Sequence, residues 1–256
     1  LLYAILHLAG YKVSLDDIRS FRQVGSKCPG HPERGITDGV ECTAGPLGQG
    51  IAAAVGMAIA ETMLAAKFNT ARRTIVDHYT YTLVGEGCLE EGVSSEASSL
   101  AGTLKLGKLI VFYDENKISI DGDTGITFTD DIQKRYESYG WQVLRGSMYN
   151  IGEILDLVHI AQSEKHKPSI IILKSVIGKG APKQGTADVH GSPLGEEGVK
   201  EAKANLGLPV DKDFYIVPEA TDFFERRKKE LSAMEEEWNN DFAAWSEENP
   251  ELRAKW

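Results

Sequence analysis

The sequence predicts an α/β domain with a mostly parallel sheet and helices on both faces. Helix-like and strand-like stretches alternate along most of the chain, as parallel pairing requires, because each return crossover usually carries a helix. Leu109 to Tyr113 and Ile170 to Leu173 are continuously apolar, the signature of strands buried on both faces. Two strand-like runs end in glycine-rich or polar clusters, and the carboxy ends of strands are where open α/β sheets bind ligands.

In order along the chain, Leu1-Leu2-Tyr3-Ala4-Ile5-Leu6 reads as helix interior with no capping residue before it, which suggests a fragment. Residues 51–68 are Ala-rich, with Ile51, Val55, Ile59 and Met63 four apart on one helical face, and they follow the turn Gly45-Pro46-Leu47-Gly48. Tyr79 to Val84 is β-branched and aromatic and runs into Gly85-Glu86-Gly87; Val93, Ala97, Leu100 and Leu104 then recur at helical spacing. The strand Leu109 to Tyr113 ends in Asp114-Glu115-Asn116. Val143-Leu144, the helix pattern Ile151, Leu155, Val158 and the strand Ile170 to Leu173 continue the alternation. Residues 178–195, with five glycines, two prolines and His190, form a long loop of the kind that usually has a task. These elements predict one domain over 1–220. Residues 221–256 read as a charged helix followed by linker-like residues. Phe224, Leu231, Trp238 and Trp245 repeat every seven residues there, with Met234 and Phe242 between them, until Asn249-Pro250 stops the helix. One stripe of it is expected to pack on the domain.

With 256 residues, 42% of them hydrophobic, the chain can bury a core. Its net charge of -10 argues against a nucleic-acid or anionic-membrane partner, since both need clustered Lys and Arg. Cys28, Cys42 and Cys88 show neither CxxC spacing nor even pairing, as reduced thiols in a cytoplasmic setting would. No apolar run approaches the ~20 residues that span a bilayer.

Glu86 and Asn116 fall at the ends of consecutive strand-like runs. Glycines on each side of Glu86 let the backbone approach a phosphate, and the following helix can aim amide N–H groups at it. A carboxylate, an amide oxygen and a backbone carbonyl, that of Ile118, would give a hard cation three oxygen ligands, with phosphate oxygens and water completing an octahedron. That set suits Mg²⁺ on a diphosphate. A Gly-x-Gly alone says little in so glycine-rich a chain; the strand before it, the helix after it and the Asn at the next strand end supply the weight. Gly85 to Gly92 spaces its glycines as GxGxxxxG, so a dinucleotide site is a poor second. Gly102 to Lys108 mimics a P-loop, but Leu109 replaces the Ser/Thr and the segment precedes a strand.

Several runs resemble the transketolase family in the same order: Ser26 to Glu33, Gly45-Pro46-Leu47-Gly48-Gln49-Gly50, Ser99 to Leu104, Ile118 to Gly122, His190 to Leu194, and the tail. The likeness covers nearly the whole chain and is to the amino-terminal domain with the thiamine diphosphate-binding fold. It implies thiamine diphosphate as cofactor, bridged to protein by Mg²⁺ or Ca²⁺. It also implies transfer of a two-carbon ketol unit between sugar phosphates, as in the pentose phosphate pathway, by a homodimer. By the same resemblance the metal ligands are Glu86, Asn116 and the Ile118 carbonyl. Gly87 and Glu91 lie near the diphosphate and the subunit interface, and Leu47, in the loop of Gly45 and Pro46, approaches the aminopyrimidine. His31 and His190 are the implied catalytic residues of the substrate channel, where imidazoles bind hydroxyls and move protons; His190 also serves the cofactor. Read without the resemblance, His31 is a turn residue and Glu91 a helix-start carboxylate. His7, His78, His159 and His166 receive no role.

The family has Asp between the glycines where this chain has Glu86. One extra methylene moves the carboxylate by roughly 1.5 Å, and Mg²⁺ tolerates little distortion, so Glu86 is expected to ligate the metal with a bias towards the larger Ca²⁺. The resemblance also implies a pyrimidine-binding domain and an upstream segment that this chain lacks, so the isolated chain is expected to be inactive and to bind cofactor weakly. Two other readings are a non-catalytic cofactor-binding subunit of a split enzyme and a related ketol transferase such as dihydroxyacetone synthase.

Overall fold

The structure is a computed structural model and describes all residues, Leu1 to Trp256. Its backbone groups into two compact units interleaved in sequence: residues 1–46, 63–77 and 214–256 form the first, residues 47–62 and 78–213 the second. The helices are α1 (Leu2–Leu8), α2 (Leu15–Arg19), α3 (Gln49–Phe68), α4 (Glu86–Glu90), α5 (Gly92–Thr103), α6 (Ile132–Ser138), α7 (Ile151–Ser163), α8 (Gly195–Asn205), α9 (Pro218–Glu248) and α10 (Pro250–Arg253). The strands are β1 (Thr80–Val84), β2 (Leu109–Glu115), β3 (Gln142–Ser147) and β4 (Ser169–Lys174).

The second unit is built on the sheet, whose order is β1-β2-β4-β3 with every neighbouring pair parallel. Side chains on a strand alternate between faces, and the two central strands divide their residues accordingly. Leu109, Val111, Tyr113, Ile170 and Ile172 join Ile51, Val55 and Ala58 of α3 in one cluster. Ile110, Phe112, Ile171 and Leu173 join Ala161, Leu157 and Val158 of α7 in the other. The expected fold class is therefore observed, with the second face of edge strand β1 left open: Tyr81 and Leu83 are exposed.

In the first unit, Ser14 and Asp17 form a reciprocal capping box that starts α2. Trp245 is fully buried, and its indole N–H donates to the Phe68 carbonyl at 2.9 Å. Trp238, Phe242 and Trp245 stack in series at 5.0 and 5.5 Å. Arg73 bridges Asp241 and Glu248 at 2.7 and 3.1 Å.

Four sequence expectations change. A five-residue helix, α4, stands between Gly85 and the helix α5; the strand–turn–helix reading had no place for it. Helix α8 follows the glycine loop unanticipated, since it buries no residue and so has no apolar stripe to read. The stripe of α9 is interrupted in its middle, where Leu231 and Met234 are exposed while Phe224 is half-buried and Trp245 fully buried, and the chain continues into α10 rather than an open linker. Finally, α3 has 20 residues at a mean hydropathy of 1.5, long and apolar enough by composition to cross a membrane. Its alanines and glycines hid that length in a reading by large residues; Ile51, Ala54, Val55 and Ala58 pack one face of it into the core, while Met57, Met63 and Leu64 on it are exposed.

Candidate functional site

The register of the sheet builds the site. Val84, last residue of β1, pairs with Tyr113 of β2, so the Gly85-Glu86-Gly87 corner lies beside the end of β2. Gly85 is extended and caps α4 with no side chain of its own. Glu86 is only 7% exposed. Its carboxylate crosses to the neighbouring strand end, where Oε2 accepts a hydrogen bond from the Tyr113 hydroxyl. Oε1 accepts from the backbone amides of Asn116 and Lys117 at 2.8 and 2.5 Å. Burial, and then the bond to Glu86, push the Tyr113 hydroxyl far above its ordinary range, so it remains a donor.

Beyond β2 the chain turns at once. Lys117 adopts φ 63°, a left-handed conformation uncommon outside glycine. Asn116 Oδ1 accepts the Ile118 amide at 2.9 Å, the local bond that suits Asn to turns. The amide of Thr124 returns to the Lys117 carbonyl at 3.0 Å, closing a small hairpin in which Ile118 faces Asp123. The Ile118 carbonyl accepts no hydrogen bond from the chain.

These edges enclose a cavity of about 410 Å³ whose lining includes Leu47, Glu86, Gly87, Asn116, Ile118 and His190. Six residues singled out in the sequence, from four separate stretches, thus meet on one surface. A second cavity of about 520 Å³ touches Glu86 and Tyr113 from another side, with Asp123, Asp130 and Arg145. It includes none of the other five, so the first cavity is the candidate site.

Close approach explains two glycines here. A Cβ on Gly87 would meet Leu47 Cδ1 at 3.0 Å, and one on Gly48, at φ 80°, would lie 2.8 Å from Glu91 Cβ and Val93 Cγ1. Glu91 itself is exposed at the start of α5, makes no capping bond and does not line the cavity. His31, Gly45 and Pro46 belong to the first unit. There the His31 ring fills the space a side chain on Gly45 would need, 2.3 Å away. The P-loop-like glycines are packing positions: a Cβ would lie 1.8 Å from the Tyr139 carbonyl oxygen at Gly102 and 2.3 Å from that of Lys165 at Gly107. Sequence reasoning missed Tyr113, whose hydroxyl is hidden in an apolar run, and Glu90, Asp121 and Thr127, which also line the cavity.

A family described as "Transketolase, thiamine diphosphate binding domain" matches residues 1–256. The chain is 63% identical over 257 residues to a transketolase of Treponema pallidum, covering all of this chain and 39% of that protein. To a transketolase of Streptococcus pyogenes it is 52% identical, covering 35% of it. Among solved structures, a transketolase of Pichia stipitis in complex with sedoheptulose-7-phosphate superposes with a TM-score of 0.96 at 45% identity, over 99% of this chain and 38% of that one. A transketolase of Leishmania mexicana gives the same TM-score and identity. The chain therefore spans about two fifths of the length of these relatives. Over its whole length it belongs to the transketolase family, as that family's thiamine diphosphate-binding domain.

Proposed function

We propose that this chain supplies the diphosphate- and metal-binding part of a transketolase, which moves a two-carbon ketol unit from a ketose phosphate to an aldose phosphate. The observation that carries the reading is the convergence of Leu47, Glu86, Gly87, Asn116, Ile118 and His190 on one cavity at the carboxy ends of β1 and β2. Thiamine diphosphate, when bound, supplies the carbanion chemistry that a sugar carbonyl needs for carbon–carbon cleavage.

The oxygen donors fit a divalent cation on the diphosphate. A carboxylate offers about four acceptor positions and an amide oxygen two. Glu86 has three taken by Tyr113, Asn116 and Lys117, and Asn116 Oδ1 has one taken by Ile118. Each keeps a position, and the Ile118 carbonyl keeps both. Glu86, Asn116 and Ile118 would hold Mg²⁺ or Ca²⁺. A flexible shell suits a Glu86 so committed better than a strict octahedron does, so Ca²⁺ is preferred.

Around that site the chain's own residues orient and exclude. Leu47, held against Gly87, presents an apolar wall for the aminopyrimidine. The His190 imidazole, on the cavity lining, hydrogen-bonds a sugar hydroxyl and exchanges a proton there. His31 takes the same role by family likeness, and Glu91 contributes to the subunit interface of a homodimer. Exposed Met57, Met63 and Leu64 on α3 support a covering partner. The three free cysteines support a reducing, cytoplasmic setting, and the charge of -10 weighs against nucleic acid or an anionic membrane as partner. The test is a ketol-transfer assay on the longest protein that carries this chain. Activity that needs thiamine diphosphate and a divalent cation, and that falls on Asn116→Ala, is expected; activity independent of both overturns the reading.

A further inference from the structure

Helix α4 contributes Glu86, Gly87, Cys88 and Glu90 to the lining of the candidate cavity, yet it has only five residues. Isolated helices shorter than about 12–15 residues are marginal in water, and the last carbonyls of any helix find no partner within it. α4 therefore depends on bonds from outside at both ends. At its amino end the Glu86 side chain makes them, through Tyr113 and the amides of Asn116 and Lys117. At its carboxy end two other side chains supply the donors. The Ser94 hydroxyl donates to the Cys88 carbonyl, and Nη1 of Arg135, on α6, donates to the Leu89 carbonyl at 2.8 Å.

Arg135 has two further partners. Its Nη2 pairs with Asp130, and its guanidinium carbon lies 4.7 Å from the centre of the Phe128 ring. Phe128 and Asp130 follow directly on Ile126 and Thr127, which line the same cavity. The Arg135 side chain is 17% exposed and does not line the cavity itself. One planar cation thus joins α4 to the 126–130 stretch from behind, and both are walls of the site. A guanidinium suits the task, because it has donors in a fixed fork and a flat face for an aromatic ring, and an ammonium has neither.

We propose that Arg135 is a positioning residue for the cofactor site: it fixes α4 against the 126–130 stretch, and with it the placement of Glu86 and Gly87 towards the diphosphate. This rests on the cofactor reading above. It goes further by assigning a role to a residue outside the cavity that neither the strand-end pattern nor the family likeness singles out. Groups that hold a ligating residue in place, without touching the ligand, commonly change affinity 10- to 100-fold when lost.

The test is isothermal titration calorimetry of thiamine diphosphate, with Ca²⁺ present, into the longest protein that carries this chain. It compares the unaltered protein with Arg135→Met, Arg135→Lys and Phe128→Leu, and with Arg73→Met, which breaks the bridge to Asp241 and Glu248 in the other unit. Calorimetry reads affinity and number of sites separately, so misplaced walls are told apart from unfolded molecules. Arg135→Met is expected to bind about 10-fold or more weakly at an unchanged number of sites. Arg135→Lys should lose nearly as much, because it keeps the charge without the fork or the flat face. Phe128→Leu, which removes only the ring contact, should lose about fourfold, and Arg73→Met nothing. Affinities within about twofold of the unaltered protein in both Arg135 variants overturn the inference. So do fewer sites at unchanged affinity, which mark a role in folding alone, and an equal loss in Arg73→Met, which marks a general effect of stability. If neither Arg135 variant folds, Phe128→Leu decides by the same criteria. With the unaltered protein binding normally, each of these failures leaves the cofactor reading standing; if it shows no cation-dependent binding, that reading and the inference fall together.

Discussion

Replacing Tyr113 by Phe tests the bond on which the geometry of the site depends. The substitution keeps the ring, which is 3% exposed and packed in the sheet core, and removes only the hydroxyl that donates to Glu86 Oε2. The other two donors, the amides of Asn116 and Lys117, both reach Oε1, so Oε2 is left without a protein partner. A hydrogen bond to a charged group contributes about 1.5–3 kcal/mol, and a buried acceptor that loses its donor keeps its desolvation penalty. The expected loss is therefore about 2 kcal/mol. With a urea dependence of about 2 kcal/mol per molar, the unfolding midpoint moves down by about 1 M at unchanged slope. Far-UV circular dichroism against urea at neutral pH reads this. A shift equivalent to less than about 0.5 kcal/mol would show that Oε2 does not depend on Tyr113, and the account of Glu86 as anchored between strand ends would fail.

The same hydroxyl governs an alkaline limb. Tyr113 is raised above its ordinary value of 10 by burial first and Glu86 second, and Tyr136 is pushed up to about 12 chiefly by burial, against the opposing bond to Ser98. Above pH 10 the unfolded chain releases protons that the folded one keeps, so stability is complete below pH 10 and falls as pH rises towards 12. Urea midpoints taken between pH 9 and 11.5 should show a decline that Tyr136→Phe reduces, and an unchanged slope in that variant would count against it. Glu86→Ala should abolish cation-dependent binding of thiamine diphosphate in calorimetry, with the unaltered protein preferring Ca²⁺ to Mg²⁺; equal affinity in the variant would remove Glu86 from the metal site. Gly102→Ala places a Cβ 1.8 Å from the Tyr139 carbonyl oxygen and should destabilise by about 3 kcal/mol or more, measured as a drop in thermal midpoint. A midpoint that did not move would mean that the Tyr139 segment gives way freely.

How much of this was legible in the sequence depended on whether a residue type matches its task. β2 and β4 declared themselves because nearly every side chain in them is apolar and buried on one face or the other. β3 is half-buried along its length and includes Gly146, where a Cβ would meet Leu157 of α7 at 2.6 Å, so its pattern is weak. The strand-end rule placed Glu86 and Asn116 together without help. It could not find Tyr113, because an aromatic in an apolar run reads as core whether or not its hydroxyl is in use. Lys117 was equally silent: lysine is no marker for a left-handed turn, and the bonds of Glu86, Asn116 and the Thr124 amide around it hold it there. Glu90, a charged residue next to another, gives no sign in the sequence that it lines the cavity.

The resemblance implies Asp where this chain has Glu86, and the structure turns that departure into a question of coupled roles. The longer side chain reaches Tyr113 and two backbone amides of the turn that carries Asn116 and Ile118. Glu86 therefore both lines the candidate cavity and fixes the other two proposed ligands in place. Loss of cation binding in Glu86→Ala would by itself leave these contributions mixed, because the turn loses its anchor along with the ligand. Asn116→Ala divides the problem differently: it removes an amide oxygen and its bond to the Ile118 amide while leaving Glu86 on the backbone amides. If both variants lose cation affinity but only Glu86→Ala also loses stability without the cation, the carboxylate carries the fold and the coordination together. Selection for that anchor would then explain how the site can keep a glutamate that Mg²⁺ alone would not favour.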